Sequence, residues 1–272
     1  MSPVSKIPKL LVYVADGQEV NVYGYQTHGL LGQLAVPGAY ALCSDKSGNI
    51  WVSTSNRNGS EMLEYAPGGT QPVTELFSYT PAGCAVDPTS GDLAVVTSGD
   101  SLGKQNLEVY HQAQGLPKTY SYSALRHWNY CAYDNAGNLV IQGSDRDYVI
   151  AYAELESGQN ALISVNISTT DANNAGIQWD GKYFLVGYRN DNVMHRYSIS
   201  DGHATEIDQI QLRTGEQNLD EFWLHYHTLV AIVNTLYEYY AIAGFPYPAG
   251  SPEENSFPLS HYYPTTITVT AN

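Results

Sequence analysis

A near-regular repeat is the feature of this chain that most constrains its fold. Six times, a short strand-like run is followed after a turn by a segment that carries a tyrosine and then a glycine. The spacings between successive tyrosines are 42, 45, 42, 45 and 42 residues, for Tyr23, Tyr65, Tyr110, Tyr152, Tyr197 and Tyr239. A period of about 40–50 residues is typical of the four-stranded blade of a β-propeller, in which one supersecondary unit stacks on the next. The sequence therefore predicts six such blades.

An all-β, six-bladed β-propeller with four-stranded blades uses nearly all of the 272 residues as a single domain. The second strand of each blade is the clearest, because it is rich in β-branched and aromatic residues and bounded by turn residues, as in Leu10–Ala15 and Leu93–Thr97. No inner strand precedes Leu10, and the alternating segment Thr265–Thr270 is suited to supply it. We predict that this C-terminal strand completes the N-terminal blade and removes two free sheet edges. The expected blades are 8–38 with 264–271, 39–82, 83–129, 130–175, 176–221 and 222–263.

Four aspartates stand before second strands, each followed at short range by a glycine: Asp45, Asp87, Asp134 and Asp180. This pattern is typical of tight hairpins, in which the aspartate caps the turn amides and the glycine takes the left-handed conformation. Metal binding through these aspartates is the alternative. We favour the structural role because the aspartate recurs with the repeat itself. The segment Gly244–Pro258, rich in glycine and proline, is predicted to be a long surface loop of the last blade.

The charge balance excludes some partners. The chain has 27 acidic and 12 basic residues, a formal net charge of -15. Nucleic acids and anionic membranes are therefore not expected partners, because neutralising phosphates requires Lys and Arg. No run of about 20 apolar residues predicts membrane insertion. With only 14% charged residues and 23 tyrosines, we expect a secreted or periplasmic protein whose leader is absent from this sequence, and a cytoplasmic location is the alternative.

Three cysteines, Cys43, Cys84 and Cys131, fall on predicted innermost strands. Counted from the turn aspartate, Cys84 and Cys131 occupy the same position, whereas Cys43 is one residue nearer and faces the opposite side of its sheet. Cys43 and Cys84 could therefore meet across one blade interface and form a disulfide in an oxidising compartment. The alternative is three buried thiols that fill tight space near the axis.

Parts of the chain resemble NHL-type repeats. Gly83-Cys-Ala-Val-Asp87, followed by Gly91-Asp-Leu-Ala-Val95, is similar to the G-x-A-V-D-x-x-G-N-L-Y-V core of that repeat, and Leu11–Asp16 and Gly48–Ser53 resemble its second-strand part. The wider group includes gluconolactonase-like and streptogramin-lyase-like propellers. The resemblance implies a propeller fold, which occurs in hydrolases, lyases and binding modules alike. The early E-G-P-x-W context of gluconolactonase-like propellers is absent here, so the resemblance does not imply lactone hydrolysis.

The expected binding site is the mouth of the central channel, where loops from all the blades bring aromatic and polar groups together. The richest segment is 126–130, in which Trp128 and Tyr130 can stack on a sugar ring or another flat ligand. Arg126 and His127 can bind anionic or hydroxyl groups. The alternative is that Trp128 and Tyr130 only fill the junction between blades. The full predicted set is Tyr40, Tyr79, Arg126, His127, Trp128, Asn129, Tyr130, Asn174 and Arg189.

A second, oxygen-rich set could hold a divalent cation, calcium or magnesium. Asp220 and Glu221 precede the inner strand of the sixth blade, and Asp16 and Asn174 come from other blades. Carboxylate and amide oxygens are the ligands that these hard cations prefer. Solvated loop acids are the alternative. His225 and His227 could also bind a metal or act as a base, but they lie at a turn expected on the opposite face.

The function these features favour is non-catalytic binding of a small molecule, a glycan or a protein at one face of the propeller. The alternative is a divalent-metal-dependent hydrolase or lyase at the channel mouth, and a structural scaffold is a third possibility. No G-x-S-x-G, phosphate loop or H-E-x-x-H motif occurs. A channel mouth that is open and lined with aromatic rings would favour a binding module, and converging carboxylates would favour a metal-dependent enzyme.

Overall fold

A computed structural model describes residues 10–56, 59–98, 106–167, 173–189, 192–212, 217–235, 239–250, 255–259 and 264–271. Apart from one short 3-10 turn at His111–Ala113, the regular structure of these residues is β-strand. Numbered in chain order, the strands are β1 (Leu10–Ala15), β2 (Val20–Gly24), β3 (Gly29–Leu34), β4 (Leu42–Ser44), β5 (Ile50–Asn56), β6 (Gly59–Tyr65), β7 (Thr74–Phe77), β8 (Pro81–Val86), β9 (Leu93–Thr97), β10 (Leu107–Tyr110), β11 (Lys118–Tyr120), β12 (His127–Tyr133), β13 (Leu139–Ser144), β14 (Ile150–Leu155), β15 (Ile163–Val165), β16 (Asn174–Trp179), β17 (Phe184–Tyr188), β18 (Val193–Ser200), β19 (His203–Gln211), β20 (Gln217–His225), β21 (Thr228–Thr235), β22 (Tyr240–Pro246), β23 (Asn255–Pro258) and β24 (Thr266–Ala271).

The strands form six antiparallel sheets of four strands each, and these are the blades of a propeller. Blade 1 is β24-β1-β2-β3, and blades 2 to 6 follow in chain order from β4-β5-β6-β7 to β20-β21-β22-β23. The strands β24, β4, β8, β12, β16 and β20 contact one another in that order around the axis and are therefore the innermost strands. The prediction of an all-β, six-bladed propeller is confirmed. None of the described residues belongs to a helix long and apolar enough to cross a membrane.

The ring is closed by the two ends of the described chain. Strand β24 pairs antiparallel with β1, with Val269 opposite Val12 and Thr266 opposite Ala15. The hydroxyl of Ser44 in blade 2 donates to the carbonyl oxygen of Val269 at 3.1 Å, which ties the closing strand to the next blade. The predicted completion of the N-terminal blade by the C-terminal strand is confirmed, and the inner edge of this sheet is covered.

The hydrophobic core lies between neighbouring blades, and alternating side chains of one strand enter two different interfaces. In β5, Ile50 and Val52 pack toward blade 1 with Tyr13, whereas Trp51 packs toward blade 3 with Val95. All of these side chains are almost completely buried. A second strand is therefore apolar on both faces, since each blade is covered on both sides. This explains why the second strands were the clearest in the sequence.

The turn aspartates have the structural role that the repeat predicts. In the turn before β13, Asp134 Oδ1 accepts hydrogen bonds from the backbone N–H groups of Ala136 and Asn138, each at 2.8 Å. Gly137 in the same turn has φ of 81°, in the left-handed region. Equivalent side-chain-to-amide hydrogen bonds occur at Asp45, Asp87 and Asp180. These carboxylates therefore stabilise hairpins.

The innermost strands begin earlier than the sequence predicts. The expected boundaries after residues 82, 129, 175 and 221 each fall inside a strand, namely β8, β12, β16 and β20. At each boundary the register with the second strand shifts by one residue, between Pro81 and Gly83, Trp128 and Tyr130, Asn174 and Gly176, and Leu219 and Glu221. Such a β-bulge breaks the alternation of inward and outward side chains. The sequence pattern therefore restarts where the strand in fact continues, and for this reason it predicts loops for the segments before the bulge.

Two further expectations for the last blade are wrong. Tyr239 precedes β22 and is 66% exposed, whereas the other five repeat tyrosines are buried. Phe245, opposite Leu229, takes the position that Tyr65 holds opposite Ile50 in blade 2. The segment Gly244–Pro258 is not entirely a loop, because its ends belong to β22 and β23. Phe245 supplies the buried ring in place of tyrosine, so the tyrosine spacing misplaced the third strand of this blade.

Gly83 is required by the close approach of two innermost strands. A Cβ added at Gly83 would overlap the backbone carbonyl oxygen of Asn129 in the next blade. We expect Gly83→Ala to lower the free energy of unfolding by about 1–3 kcal/mol, the usual cost of overpacking, as measured by urea denaturation. The matched control is Gly32→Ala, where no heavy atom lies within 4 Å of the added Cβ. Equal stability of the two variants would contradict this account of the contact.

Candidate functional site at the mouth of the central channel

A cavity of about 900 Å³ lies at the channel mouth that the inner-strand bulges surround. All six blades contribute to its wall, through Thr266 (blade 1), Tyr40 (blade 2), Pro81 (blade 3), Tyr130 (blade 4), Gln178 (blade 5) and Glu221 (blade 6). Its volume falls within the usual range of small-molecule sites. The fold therefore provides a ligand-sized chamber on the face predicted from the sequence.

The bulges decide which side chains line this chamber. The residue after the bulge is Gly83 in β8, Tyr130 in β12, Gly176 in β16 and Glu221 in β20. Glycines and large side chains thus alternate around this part of the wall. A bulge re-aims the side chain that follows it, and Tyr130 and Glu221 both line the cavity. The glycines leave room between them.

Exposed aromatic rings form a partial rim. Tyr40 is 53% exposed and Tyr148 is 69% exposed, and both line the cavity. The imidazole of His127 stacks on the ring of Tyr148, with centroids 5.0 Å apart and an angle of 15° between the planes. Tyr79 is also exposed and packs edge-on against Phe77. We call Tyr40, His127 and Tyr148 the aromatic rim.

Trp128 lies in the core and not at the surface of the mouth. It is 1% exposed, its indole N–H donates to the carbonyl oxygen of Leu125 at 3.2 Å, and its side chain packs with Leu107 and Leu139 between blades 3 and 4. This placement agrees with the alternative that Trp128 fills the junction between blades. A stacking platform at the mouth has to come from the aromatic rim.

The remaining predicted ligand residues lie at or next to the cavity. Tyr40, His127, Asn129, Tyr130 and Arg189 are among its lining residues, and Trp128 borders the cavity although its side chain is buried in the core. Tyr79 and Arg126 are exposed next to the lining residues Thr80 and His127. The side chain of Asn174 is outside the described part of the structure. The structure thus brings together most of the predicted set, drawn from several blades.

Sequence reasoning missed Tyr148, the more exposed of the two tyrosines of the rim. Tyr148 sits with φ of 61° in the turn between β13 and β14. Asp145 Oδ1 accepts hydrogen bonds from the backbone N–H groups of Asp147 and Val149, each at 2.9 Å, and so shapes this turn. The available signal was the aspartate turn motif followed by an aromatic residue, in a loop on the same face as the mouth.

Glu221 is a buried carboxyl group in the wall of the cavity. It is 7% exposed, and its Oε1 accepts a hydrogen bond from the hydroxyl of Thr266 at 2.8 Å. Its Oε2 is buried and has no hydrogen-bond partner among the described residues. Burial raises the pKa of this carboxyl group from 4.5 to about 8, and the opposing effects of Thr266 and Arg189 only partly compensate. Glu221 is therefore largely protonated at neutral pH.

The adjacent acid, Asp220, is in a different environment. Its Oδ2 accepts a hydrogen bond from the side-chain amide of Asn234 at 2.7 Å, and its Oδ1 lies 3.5 Å from Nε of Arg189. The guanidinium also donates to the backbone carbonyl oxygen of Asp220 at 3.3 Å. The negative charge of Asp220 and the positive charge of Arg189 thus compensate each other. The bulge directs two neighbouring carboxyl groups to different surroundings.

Two of the predicted cation ligands, Asp16 and Asp220, are engaged in other contacts. Asp16 Oδ1 accepts hydrogen bonds from the backbone N–H groups of Gln18 and Glu19 at 3.0 Å each, as in the other aspartate turns. No group of three or more His, Cys, Asp or Glu side chains that could hold a metal ion occurs among the residues that the structure describes. The set of Asp16, Asn174, Asp220 and Glu221 stays a prediction.

A second cavity of about 330 Å³ opens on the opposite face. His225 and Tyr226 line it, and their rings pack edge-on with centroids 4.6 Å apart. Burial lowers the pKa of His225. Cys131, Gln178 and Trp223 line both cavities. These three residues form the constriction between the two ends of the channel, and the histidines lie on the face opposite the candidate site, as the sequence indicated.

The wall of the channel contains a disulfide. Cys43 on β4 and Cys84 on β8 are bonded and join the innermost strands of blades 2 and 3. Cys131 on β12 is a free, buried thiol, and burial raises its pKa, which disfavours the reactive thiolate. Of the two arrangements that the sequence left open, the structure has the disulfide across a blade interface.

Comparison with known proteins finds no matching family model and no matching curated protein. Solved structures of other propellers are similar in fold. One in a structure entitled "Crystal structure of Nidogen/Laminin Complex" has a TM-score of 0.67 at 12% identity over 96% of this chain and 98% of that chain. The propeller domain of Cps50 (Swd1) from Myceliophteria thermophila has a TM-score of 0.60 at 10% identity over 92% and 83% of the two chains.

A chain of the hydrazine synthase of Kuenenia stuttgartiensis has a TM-score of 0.62 at 12% identity, over 81% of this chain and 76% of that one. At these identities the likeness shows the propeller fold alone. It supports no narrower assignment, so the resemblance to NHL-type and gluconolactonase-like propellers stays a prediction. Propellers of this kind occur in protein complexes as well as in an enzyme, and function has to be argued from the site.

Proposed function

We propose that this protein is a non-catalytic binding module that takes a small molecule or a glycan at the mouth of its central channel. The observation that carries the proposal is the cavity of about 900 Å³ bordered by the exposed rings of Tyr40 and Tyr148. Rigid aromatic rings supply contact area at a low cost in conformational entropy. No carboxylate cluster of the kind a metal-dependent hydrolase needs accompanies them among the described residues. A protein partner at this face is the alternative occupant.

The disulfide bears on the compartment in which the protein acts, and the net charge bears on the partners that it binds. The Cys43–Cys84 bond favours an oxidising compartment, so we place the protein outside the cytoplasm. The net charge of -15 disfavours nucleic acid and anionic membranes as partners. Uncharged or positively charged ligands are compatible with this negative net charge.

Binding at the rim is tested by substitution. A screen of glycans and small molecules by thermal shift would identify ligands, and their affinities would be measured in Tyr40→Ala and Tyr148→Ala. We expect each substitution to weaken binding about tenfold, because loss of one aromatic contact costs on the order of 1 kcal/mol or more. Tyr226→Ala, on the opposite face and 80% exposed, is the matched control and should bind normally. Ligands that depend on Tyr226 and not on the rim would refute the proposed site.

The metal-dependent alternative has its own test. Thermal unfolding would be followed after EDTA treatment and then with millimolar calcium or magnesium. A site filled at about 100 times its dissociation constant adds about 2.7 kcal/mol to the free energy of unfolding. We expect no cation-specific rise in Tm. A clear rise with one cation that is lost in Asp220→Asn would support the cation site and redirect the assays to hydrolysis and elimination reactions.

A further inference from the structure

We propose that Glu221 is the counter-charge for a protonated amine, so that the channel mouth takes a ligand carrying an ammonium group. This inference rests on the proposed function, since it specifies the ligand class of the same site. It is carried by the position of one buried carboxyl group in the cavity wall and by the contacts that this group lacks.

The first step is the unpartnered oxygen. Glu221 lines the cavity and is 93% buried, being 7% exposed. The hydroxyl of Thr266 donates to Oε1, and Oε2 has no hydrogen-bond partner among the described residues. Buried polar atoms almost always have a partner, and an exception in a ligand-sized cavity indicates an absent partner. An N–H group of a ligand would supply it.

The second step is that no cationic side chain among the described residues is paired with Glu221. Arg189 is the positive side chain close enough to affect Glu221, but its guanidinium contacts Asp220 at 3.5 Å and is about half exposed. Arg189 is therefore paired with Asp220 and not with Glu221. A buried carboxylate without a paired cation is unfavourable, and a cation bound beside it relieves this cost. The ligand would complete a pair that the chain leaves incomplete.

The third step is the surroundings. The charged and titratable groups that face Glu221 from the described elements packed around it are Asp220 on its own strand, Arg189 after β17 and Tyr130 on β12. Strand β24 contributes the Thr266 hydroxyl and the backbone N–H of Ile267. Tyrosine rings attract cations through their faces, and the net charge of -15 favours approach of a cation over an anion.

The proton balance follows from these contacts. In the empty site the carboxyl group holds its proton at neutral pH, since burial raises its pKa to about 8. When the amine binds, the O–H bond of Glu221 breaks, the proton passes to solvent, and the carboxylate accepts the N–H of the ammonium group. Binding should therefore release one proton below about pH 8, and affinity should rise as pH rises toward that value.

The test uses the whole protein and paired probes. Methylamine, benzylamine and tyramine would each be compared with the alcohol of the same skeleton by isothermal titration calorimetry. We expect at least one amine to bind, its alcohol to bind at least tenfold more weakly, and amine affinity to rise up to tenfold per pH unit from about pH 6 to about pH 8. Titrations in two buffers of different ionisation enthalpy should show one proton released per amine at about pH 6.5.

Variants locate the effect. Glu221→Gln should abolish both the preference for the amine and the proton release. Thr266→Val removes the hydrogen bond to Oε1 but leaves the ionisable group in place, so it should alter the proton release. Glu75→Gln, at an exposed glutamate on β7, is the control and should behave as the parent protein. Circular dichroism would verify that each variant is folded.

Three outcomes would overturn the proposal. Equal binding of amine and alcohol, or affinity that falls with rising pH, would make Glu221 a hydrogen-bond donor to a neutral ligand. Preserved amine preference in Glu221→Gln would place the ammonium group elsewhere. Failure of every amine, while rim-dependent glycans or neutral molecules bind, would refute the inference and leave the proposed function intact. Failure of all probes and of the rim variants would refute both.

Discussion

Replacing Cys43 and Cys84 together with alanine should lower the free energy of unfolding by about 4 kcal/mol. The disulfide closes a loop with a sequence separation of 41 residues, and constraining an unfolded loop of that length contributes about 4 kcal/mol in the chain-entropy model. For a chain of this size, a loss of that magnitude lowers Tm by roughly 10 °C. Differential scanning calorimetry of the double variant and of the parent protein would measure it.

Two controls separate the covalent bond from the packing of the cysteine side chains. Cys131→Ala removes a buried cysteine side chain without breaking a disulfide, because Cys131 is free. Treating the parent protein with dithiothreitol should reproduce most of the loss seen in the double variant. If the double variant and Cys131→Ala have the same Tm, the bond between blades 2 and 3 contributes little, and packing alone holds this interface.

Glu221→Gln should remove one contribution to the dependence of stability on pH. The folded protein holds the Glu221 proton up to about pH 8, whereas the unfolded chain loses it near pH 4.5. Between these values folding takes up a proton, so the contribution of this group to stability falls as pH rises, by about 1.4 kcal/mol per pH unit. Glutamine does not ionise, so the free energy of unfolding of the variant lacks this decrease. Relative to the parent protein it should therefore gain about 4 kcal/mol between about pH 5 and about pH 8.

The measurement is urea denaturation of the two proteins across that pH range, with the difference in unfolding free energy plotted against pH. Other titrating groups cancel in the difference. Glu75→Gln, at an exposed carboxyl group on β7, is the control for replacing a glutamate with glutamine. A flat plot for Glu221→Gln would show that Glu221 ionises normally, and it would remove the basis for an unpaired buried carboxyl group.

The second strands could be predicted because burial on both faces gives them a continuous apolar pattern. The predicted Leu10–Ala15 and Leu93–Thr97 coincide with β1 and β9. The start of an innermost strand could not be predicted in this way. A bulge shifts the alternation by one residue, and sequence periodicity has no means of showing that pairing continues beyond it.

The candidate site was only partly predictable for the same reason. The sequence placed the segment 126–130 at the mouth, which agrees with the cavity, but it could not show which way Trp128 and Tyr130 point across the bulge between them. The indole packs in the core, and the tyrosine lines the cavity. The environment of Glu221 depends on Thr266, which is 45 residues away on a strand of another blade. A pairing of that kind is visible only in three dimensions.

The pairing of β24 with β1 affects how the protein is made. The residues of β1 are translated before those of blades 2 to 6, yet their inner neighbour, β24, is translated about 250 residues later. Blades 2 to 6 are each continuous in sequence and can form in order during synthesis, whereas blade 1 has to wait with one edge uncovered. Pairing over such a long stretch of chain is slow, and an open edge in the interval invites pairing with other chains.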